Sequence, residues 1–218
     1  MNDYGVAEYA REITETGCRI ARKVADEFTA LTPQKPRYVV GSVGPTNKTC
    51  SISPDVNNPA LRNISFDELV EAYTEQISTM ILNGVDGILI ETIFDTLNAK
   101  AAIFAAEESM KNTGREVPLM LSITVSDTGG RTLSGQTLDA FLASVQHAPI
   151  FSIGLNCSFG AKQLKPFLQQ LAARAPYYIS AYPNAGLPNP ADNSYDITAD
   201  EFAETMRKYA EIGVKFFG

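Results

Sequence analysis

Residues 65–91 read SFDELVEAYTEQISTMILNGVDGILIE, and two periodicities meet within them. Phe66, Leu69, Val70, Tyr73, Ile77 and Ile81 recur at spacings of three and four, which sets them on one stripe of a helix. Ser65 and Glu68 stand at its start as a capping box, each side chain able to accept the other residue's backbone N–H. Gly84 ends it, because glycine tolerates the left-handed conformation that closes a helix. Gly87-Ile88-Leu89-Ile90 then runs apolar without alternation, as a strand covered on both faces of a parallel sheet does. A charge, Glu91, follows at once. The unit is a helix, a tight turn, a buried strand and a polar strand end.

Outward from this stretch the unit repeats. Further strands read as Tyr38–Gly41, Pro118–Val125, Phe151–Leu155, Tyr177–Tyr182 and Val214–Phe217. Helical stripes fall at Leu138, Phe141, Leu142 and Val145, at Leu164, Phe167, Leu168 and Leu171, and at Phe202, Met206 and Tyr209 behind a second box, Thr198 and Glu201. The first helix, from Tyr4 to about Phe28, carries Ile13, Ile20, Val24 and Phe28 as its apolar positions. The order is helix, then five strand–helix pairs, then a strand: an α/β fold with six parallel strands. Loops after strands are long (42–64, 126–136, 183–198), whereas helix-to-strand returns are short. Long loops confined to one side place variable surface at the carboxyl ends of the strands, the ligand-binding face of α/β folds. A (βα)8 barrel typically takes about 250 residues and eight strands. The alternatives are an open doubly wound sheet or an incomplete (βα)8 barrel.

At 218 residues, 44% hydrophobic and 20% charged, with no linker rich in Gly, Pro or Ser, the chain reads as one domain over 1–218. Net charge is −7 and the basic residues cluster only at Arg19, Arg22 and Lys23, which argues against nucleic acid. No apolar run reaches the length of a membrane span, and three widely spaced cysteines do not form a secreted disulfide framework. A reducing cytoplasm is the expected compartment.

Polar groups stand where strands give out: Glu91, Thr124, Asn156-Cys157 and Asn184. Leaving an amide-like group buried and unpaired costs roughly 2–7 kcal/mol, so each needs a partner. Glu91 reads either as a carboxylate bonded to the next helix's N-terminus near 92–96, or as an acceptor for a ligand's ammonium or hydroxyl. Cys157 reads either as a small buried hydrophobe or as a metal ligand. Cys50 lies in the first long loop, Cys18 on a helix, and His147 at the opposite end of a strand. No zinc-binding spacing is present. Gly129-Gly130-Arg131 offers amides for an anion or merely a turn. No lysine ends a strand, so Schiff-base chemistry is not expected.

Six motifs together resemble the homocysteine-binding domain of cobalamin-dependent methionine synthase over nearly the whole chain. They are Gly44-Pro45-Thr46-Asn47-Lys48-Thr49, Ile52-Ser53-Pro54-Asp55-Val56-Asn57, Ile90 through Lys100, Gly129 through Gln136, Gly154-Leu155-Asn156-Cys157 and Pro183 through Asn189. The second and third favour this enzyme over relatives that use betaine or S-methylmethionine. The resemblance implies an incomplete (βα)8 TIM-type barrel whose six strands are the family's third to eighth. It also implies a zinc ion held by three cysteine thiolates, which takes the homocysteine sulfur and readies it for a methyl group carried on cobalt. Cys157 matches the first of those cysteines; the other two form a pair expected beyond Gly218. Glu91 would contact the homocysteine amino group, Asn184 would neighbour the zinc, and Asn156 would lie just behind it. Cobalamin and folate modules are implied as partners within the intact enzyme. The chain as given, with one of three thiols, is expected to hold no zinc or cobalamin and to be inactive. Open strand edges beginning at Tyr38 and Val214 are expected to make it self-associate. A phosphate-handling barrel using the Gly129–Gly130 turn is the competing enzyme class.

Overall fold

A computed structural model describes residues 4–186, 189–192, 194–195 and 197–218. Leu187 and Pro188, within the sixth motif, lie outside the described residues. A turn of 3-10 helix (Ala7–Tyr9) leads into α1 (Ala10–Leu31). The chain then alternates: β1 (Val40–Val43), α2 (Phe66–Leu82), β2 (Gly87–Ile93), α3 (Thr96–Thr113), β3 (Leu119–Ile123) and α4 (Leu138–Val145). It continues through β4 (Ile150–Gly160), α5 (Ala161–Arg174), β5 (Tyr178–Asn184), α6 (Ala199–Glu211) and β6 (Val214–Phe217). Among the described residues no helix is long and apolar enough to cross a membrane.

Both capping boxes form. Glu68 N donates to Ser65 Oγ at 3.2 Å while Ser65 N donates to Glu68 Oε2 at 2.8 Å. Thr198 and Glu201 repeat the arrangement at 3.3 and 2.9 Å. These bonds hold both acidic side chains, Glu68 and Glu201, below the usual carboxylate range.

The six strands are hydrogen-bonded in chain order, β1-β2-β3-β4-β5-β6, and the β1–β2, β4–β5 and β5–β6 pairings are parallel. A doubly wound sheet reverses its order at a switch point, as in 3-2-1-4-5-6. This sheet has no reversal, which is the order of successive strands in a (βα)8 barrel. The six-stranded parallel sheet is therefore that of an incomplete TIM-type barrel.

Backbone packing divides the chain into two compact units, Met1–Ile90 with Leu97–Leu119, and Glu91–Thr96 with Met120–Gly218. In the first, Leu69, Tyr73, Ile77 and Ile81 of α2 are buried along with Ile88 and the alanines 99, 101, 102, 105 and 106 of α3. In the second, Leu121, Ile123, Ile153 and Leu155 are buried along with Phe141, Leu164, Leu168 and Tyr209. Gly154 is compelled by the approach of two strands there: an added Cβ would sit 1.9 Å from the Ser180 carbonyl oxygen.

Strand boundaries and the burial of one helix differ from the sequence reading. β1 begins at Val40 rather than Tyr38, because the Val39 N–H is taken by the Asp86 carboxylate at 2.6 Å, so the ladder opens with Val40 opposite Gly87. β2, β4 and β5 run on past their apolar cores, so Glu91, Asn156, Cys157 and Asn184 lie inside strands rather than behind them. The stripe of α1 is not core: Ile13, Ile20, Val24 and Phe28 are all exposed, the last at 53%. Amphipathic spacing marks a face that water disfavours, but it does not supply the surface that covers it.

Tyr209 is fully buried and its hydroxyl donates to the Ala161 carbonyl. Burial raises its pKa above the phenol value. A raised acid pKa means that only the unfolded chain ionises as pH passes about 10, so stability falls from there upward. Urea midpoints measured from pH 8 to 11 are expected to fall above pH 10, and to fall less in Tyr209→Phe.

Candidate functional site

The second unit gathers polar groups at the carboxyl end of β4. In the β4–β5 ladder, Asn156 faces Tyr182 and Gly160 faces Asn184. Four steps on β4 thus match two on β5, and the surplus forms a bulge at 157–159. Cys157 and Ser158 lie in it with φ of 56° and 64°. Thr92, on β2, has φ of 57°, and these are the non-glycine residues with positive φ among the described residues. Each such conformation costs on the order of 1–3 kcal/mol and persists only where its surroundings over-determine it. A β-branched residue such as threonine is an outlier there. Bulges re-aim side chains, and this one turns Cys157 into a half-buried position.

What over-determines the site is Asn156, which is 3% exposed. Its Oδ1 accepts from Thr92 N at 3.1 Å and from Ser122 Oγ at 2.7 Å. Its Nδ2 donates to Thr92 Oγ1 at 3.0 Å and to Cys157 Sγ at 3.1 Å. Thr124 Oγ1 reaches the Asn156 carbonyl at 3.3 Å. The side-chain amide therefore has all four of its bonds inside the protein. Ser158 Oγ, one residue past Cys157, is buried with no hydrogen-bond partner.

Glu91 is half-buried and lies within β2, five residues before α3 starts at Thr96. It is the chain neighbour of Thr92, and its charge acts on Tyr182. Burial first, then that charge, raises the Tyr182 pKa. Asn184 is half-buried at the end of β5, on the same strand face as Tyr182. The structure thus joins Asn156 and Cys157 by a direct bond, and links Glu91 to them through Thr92. Asn184 stands two residues past Tyr182, opposite the end of the bulge.

The glycine turn is not an anion cradle. Asp127 Oδ1 accepts from Gly129 N at 2.9 Å and from Arg131 N at 3.0 Å, while the Asp127 carbonyl takes Gly130 N at 3.1 Å. A carboxylate of this chain already occupies the amides a phosphate would need, so the phosphate-handling reading loses its basis.

The sequence model of the homocysteine S-methyltransferase family matches residues 1–218. The chain belongs to that family. Among solved structures, it is similar to the apo form of homocysteine methyltransferase MmuM from Escherichia coli, with 19% identity over 97% of this chain and 68% of that one, and a TM-score of 0.72. The metallated form of the same enzyme matches with 21% identity over 95% of this chain and 65% of that one, at a TM-score of 0.69. These likenesses show the fold, and this chain spans about two thirds of the length of either structure.

The zinc that the resemblance implies asks for three thiolates. Among the described residues no group of three or more His, Cys, Asp or Glu side chains converges on one point. Cys50 is buried in its own loop, where its N–H donates to Asn98 Oδ1 at 2.9 Å and its thiol reaches the Ile64 carbonyl at 3.8 Å. Cys18 is buried on α1, which pushes its thiol pKa up, and His147 is exposed. The residues described do not by themselves fit a zinc ion.

Sequence reasoning missed Thr92, Ser122 and Tyr182. Ser122 had left a trace, a lone hydroxyl in the apolar run Leu119–Ile123, which must find a partner once buried. Removing the hub is expected to be costly, since Asn156→Ala strips Thr92 N and the buried Ser122 hydroxyl of their acceptor. Urea unfolding should show a loss of about 2–4 kcal/mol.

Proposed function

We propose that this homocysteine S-methyltransferase chain is the homocysteine-binding part of a cobalamin-dependent methionine synthase, in which the homocysteine thiol proton is replaced by a methyl group to give methionine. The observation that carries the reading is Cys157, turned out of β4 by a left-handed bulge and bonded to Asn156, at the end of the sheet where Glu91 also lies. A metal-ligand or substrate-facing sulfur needs such a setting; a structural cysteine needs only hydrocarbon.

In this reading Glu91 accepts from the homocysteine ammonium, while Asn156 and Asn184 flank the sulfur end. Zinc would require two thiolates besides Cys157, from residues other than those described. The cobalamin and folate modules would be partners within the intact enzyme, and the cytoplasm is the compartment. The Ser53-Pro54-Asp55-Val56-Asn57 and Phe94-Asp95-Thr96-Leu97-Asn98-Ala99-Lys100 motifs favour methylcobalamin as donor. A second reading, a homocysteine methyltransferase drawing on betaine or S-methylmethionine, fits the family match equally well.

Calorimetric titration tests the core of the proposal. L-homocysteine is expected to bind the 218-residue chain more tightly than L-methionine does, and Glu91→Gln to weaken that binding roughly ten- to hundredfold, the value of a charge-assisted bond. Equal affinity for both amino acids would remove the reading. Metal analysis after dialysis against a chelator should find well under one zinc per chain, because one thiolate is too few.

Self-association is proposed as well. β1 and β6 are the two end strands of the sheet, and α1 presents Val24 and Phe28 beside Tyr38 and Val40. Unpaired strand edges next to exposed apolar side chains favour pairing with another chain. Sedimentation velocity is expected to show dimers or larger species whose fraction rises with protein concentration; a monomer at all concentrations would contradict this.

A further inference from the structure

Asn156 has a carbonyl end and an amino end of nearly the same shape, so something must decide which end faces which neighbour. The backbone N–H of Thr92 decides it. That group can only donate, so the atom 3.1 Å away must be the amide oxygen. Ser122 Oγ at 2.7 Å then completes the oxygen's partners. The amino end is left to face Thr92 Oγ1 at 3.0 Å and Cys157 Sγ at 3.1 Å. Thr92 thus touches both ends of the amide, and it does so from a left-handed backbone, φ 57°, that threonine rarely adopts.

We propose that Thr92 is a positioning residue for Cys157: its N–H sets the orientation of the Asn156 amide, and its hydroxyl, by accepting from the amino end, steadies the N–H donor on the sulfur and so holds that side chain in one rotamer. This rests on the proposed role of Cys157 in handling homocysteine and adds a residue to it, one that never needs to touch substrate. It also gives Glu91 a physical link to the sulfur, since Glu91 and Thr92 share a peptide bond at the point where the backbone turns left-handed.

Proton and nitrogen spectra of the reduced chain, recorded without homocysteine, test the inference. The Asn156 side-chain amide is expected to give two resolved, slowly exchanging proton signals, and the Cys157 Hα–Hβ couplings to report a single rotamer. Thr92→Ser keeps both the N–H and the oxygen and should preserve both signatures. Thr92→Ala should raise the exchange rate of the amide protons roughly tenfold, the loss of about one hydrogen bond, and average the Cys157 couplings. Thr92→Val removes the oxygen while keeping bulk and branching, and stands in if the alanine variant does not fold; it should behave as alanine does. Unchanged amide exchange and couplings in a folded Thr92→Ala or Thr92→Val chain would overturn the proposal. So would a Thr92→Ser chain disturbed as strongly as the others, because the oxygen would then not matter. A chain that fails to bind homocysteine yet gives the expected spectra would sink the functional reading and leave the positioning role standing.

Discussion

A buried amide with every valence spoken for is the constraint on which the polar end of the sheet depends. Asn156 lies where water cannot reach it, and an unpaired amide there would cost several kcal/mol. Its partners come from three strands, β2, β3 and β4, so satisfying it fixes the relative placement of their ends. Low local dielectric strengthens each bond and raises the penalty for losing any one of them. That penalty is what allows three residues to remain in left-handed backbone conformations, each disfavoured alone.

The apolar part of the sheet makes this possible by being rigid and close. Ile153 and Leu155 of β4 and Leu121 and Ile123 of β3 are buried to within 1%. On the opposite strand faces the residues are small: Ser122, Ser152, Gly154 and Ser180. Gly154 lets β4 meet β5 where even a methyl group would strike the Ser180 carbonyl. Two surplus residues in β4, placed after this tight stretch, have no ladder partner and turn aside, carrying Cys157 with them. The half-buried Cys157 side chain is thereby mounted on a strand rather than on a loop, and precision of placement follows from the strand.

Among the described residues the hydroxyls of Ser152, Ser158 and Ser180 are buried without a hydrogen-bond partner, and α1 exposes an apolar stripe. Asp127 shows the contrary case: it closes the glycine turn with its own carboxylate, so nothing further is wanted there.

The sequence by itself determined the alternation of helices and strands, because burial on a helix repeats near 3.6 residues and a doubly covered strand does not alternate. The Ser65–Glu68 and Thr198–Glu201 boxes were legible for the same local reason: both partners lie within one turn. It also carried the family, through motifs spread from Gly44 to Asn189. Only the tertiary structure decided that the strands keep chain order, that β2, β4 and β5 extend through Glu91, Cys157 and Asn184, and that α1 shows its apolar face to water. Thr92, Ser122 and Asn156 come together across separations of 30 or more residues, and no local periodicity encodes which donor meets which acceptor at that range. Asp127, by contrast, could have been paired with its own turn from spacing alone, since an Asx side chain bonds the backbone two residues on.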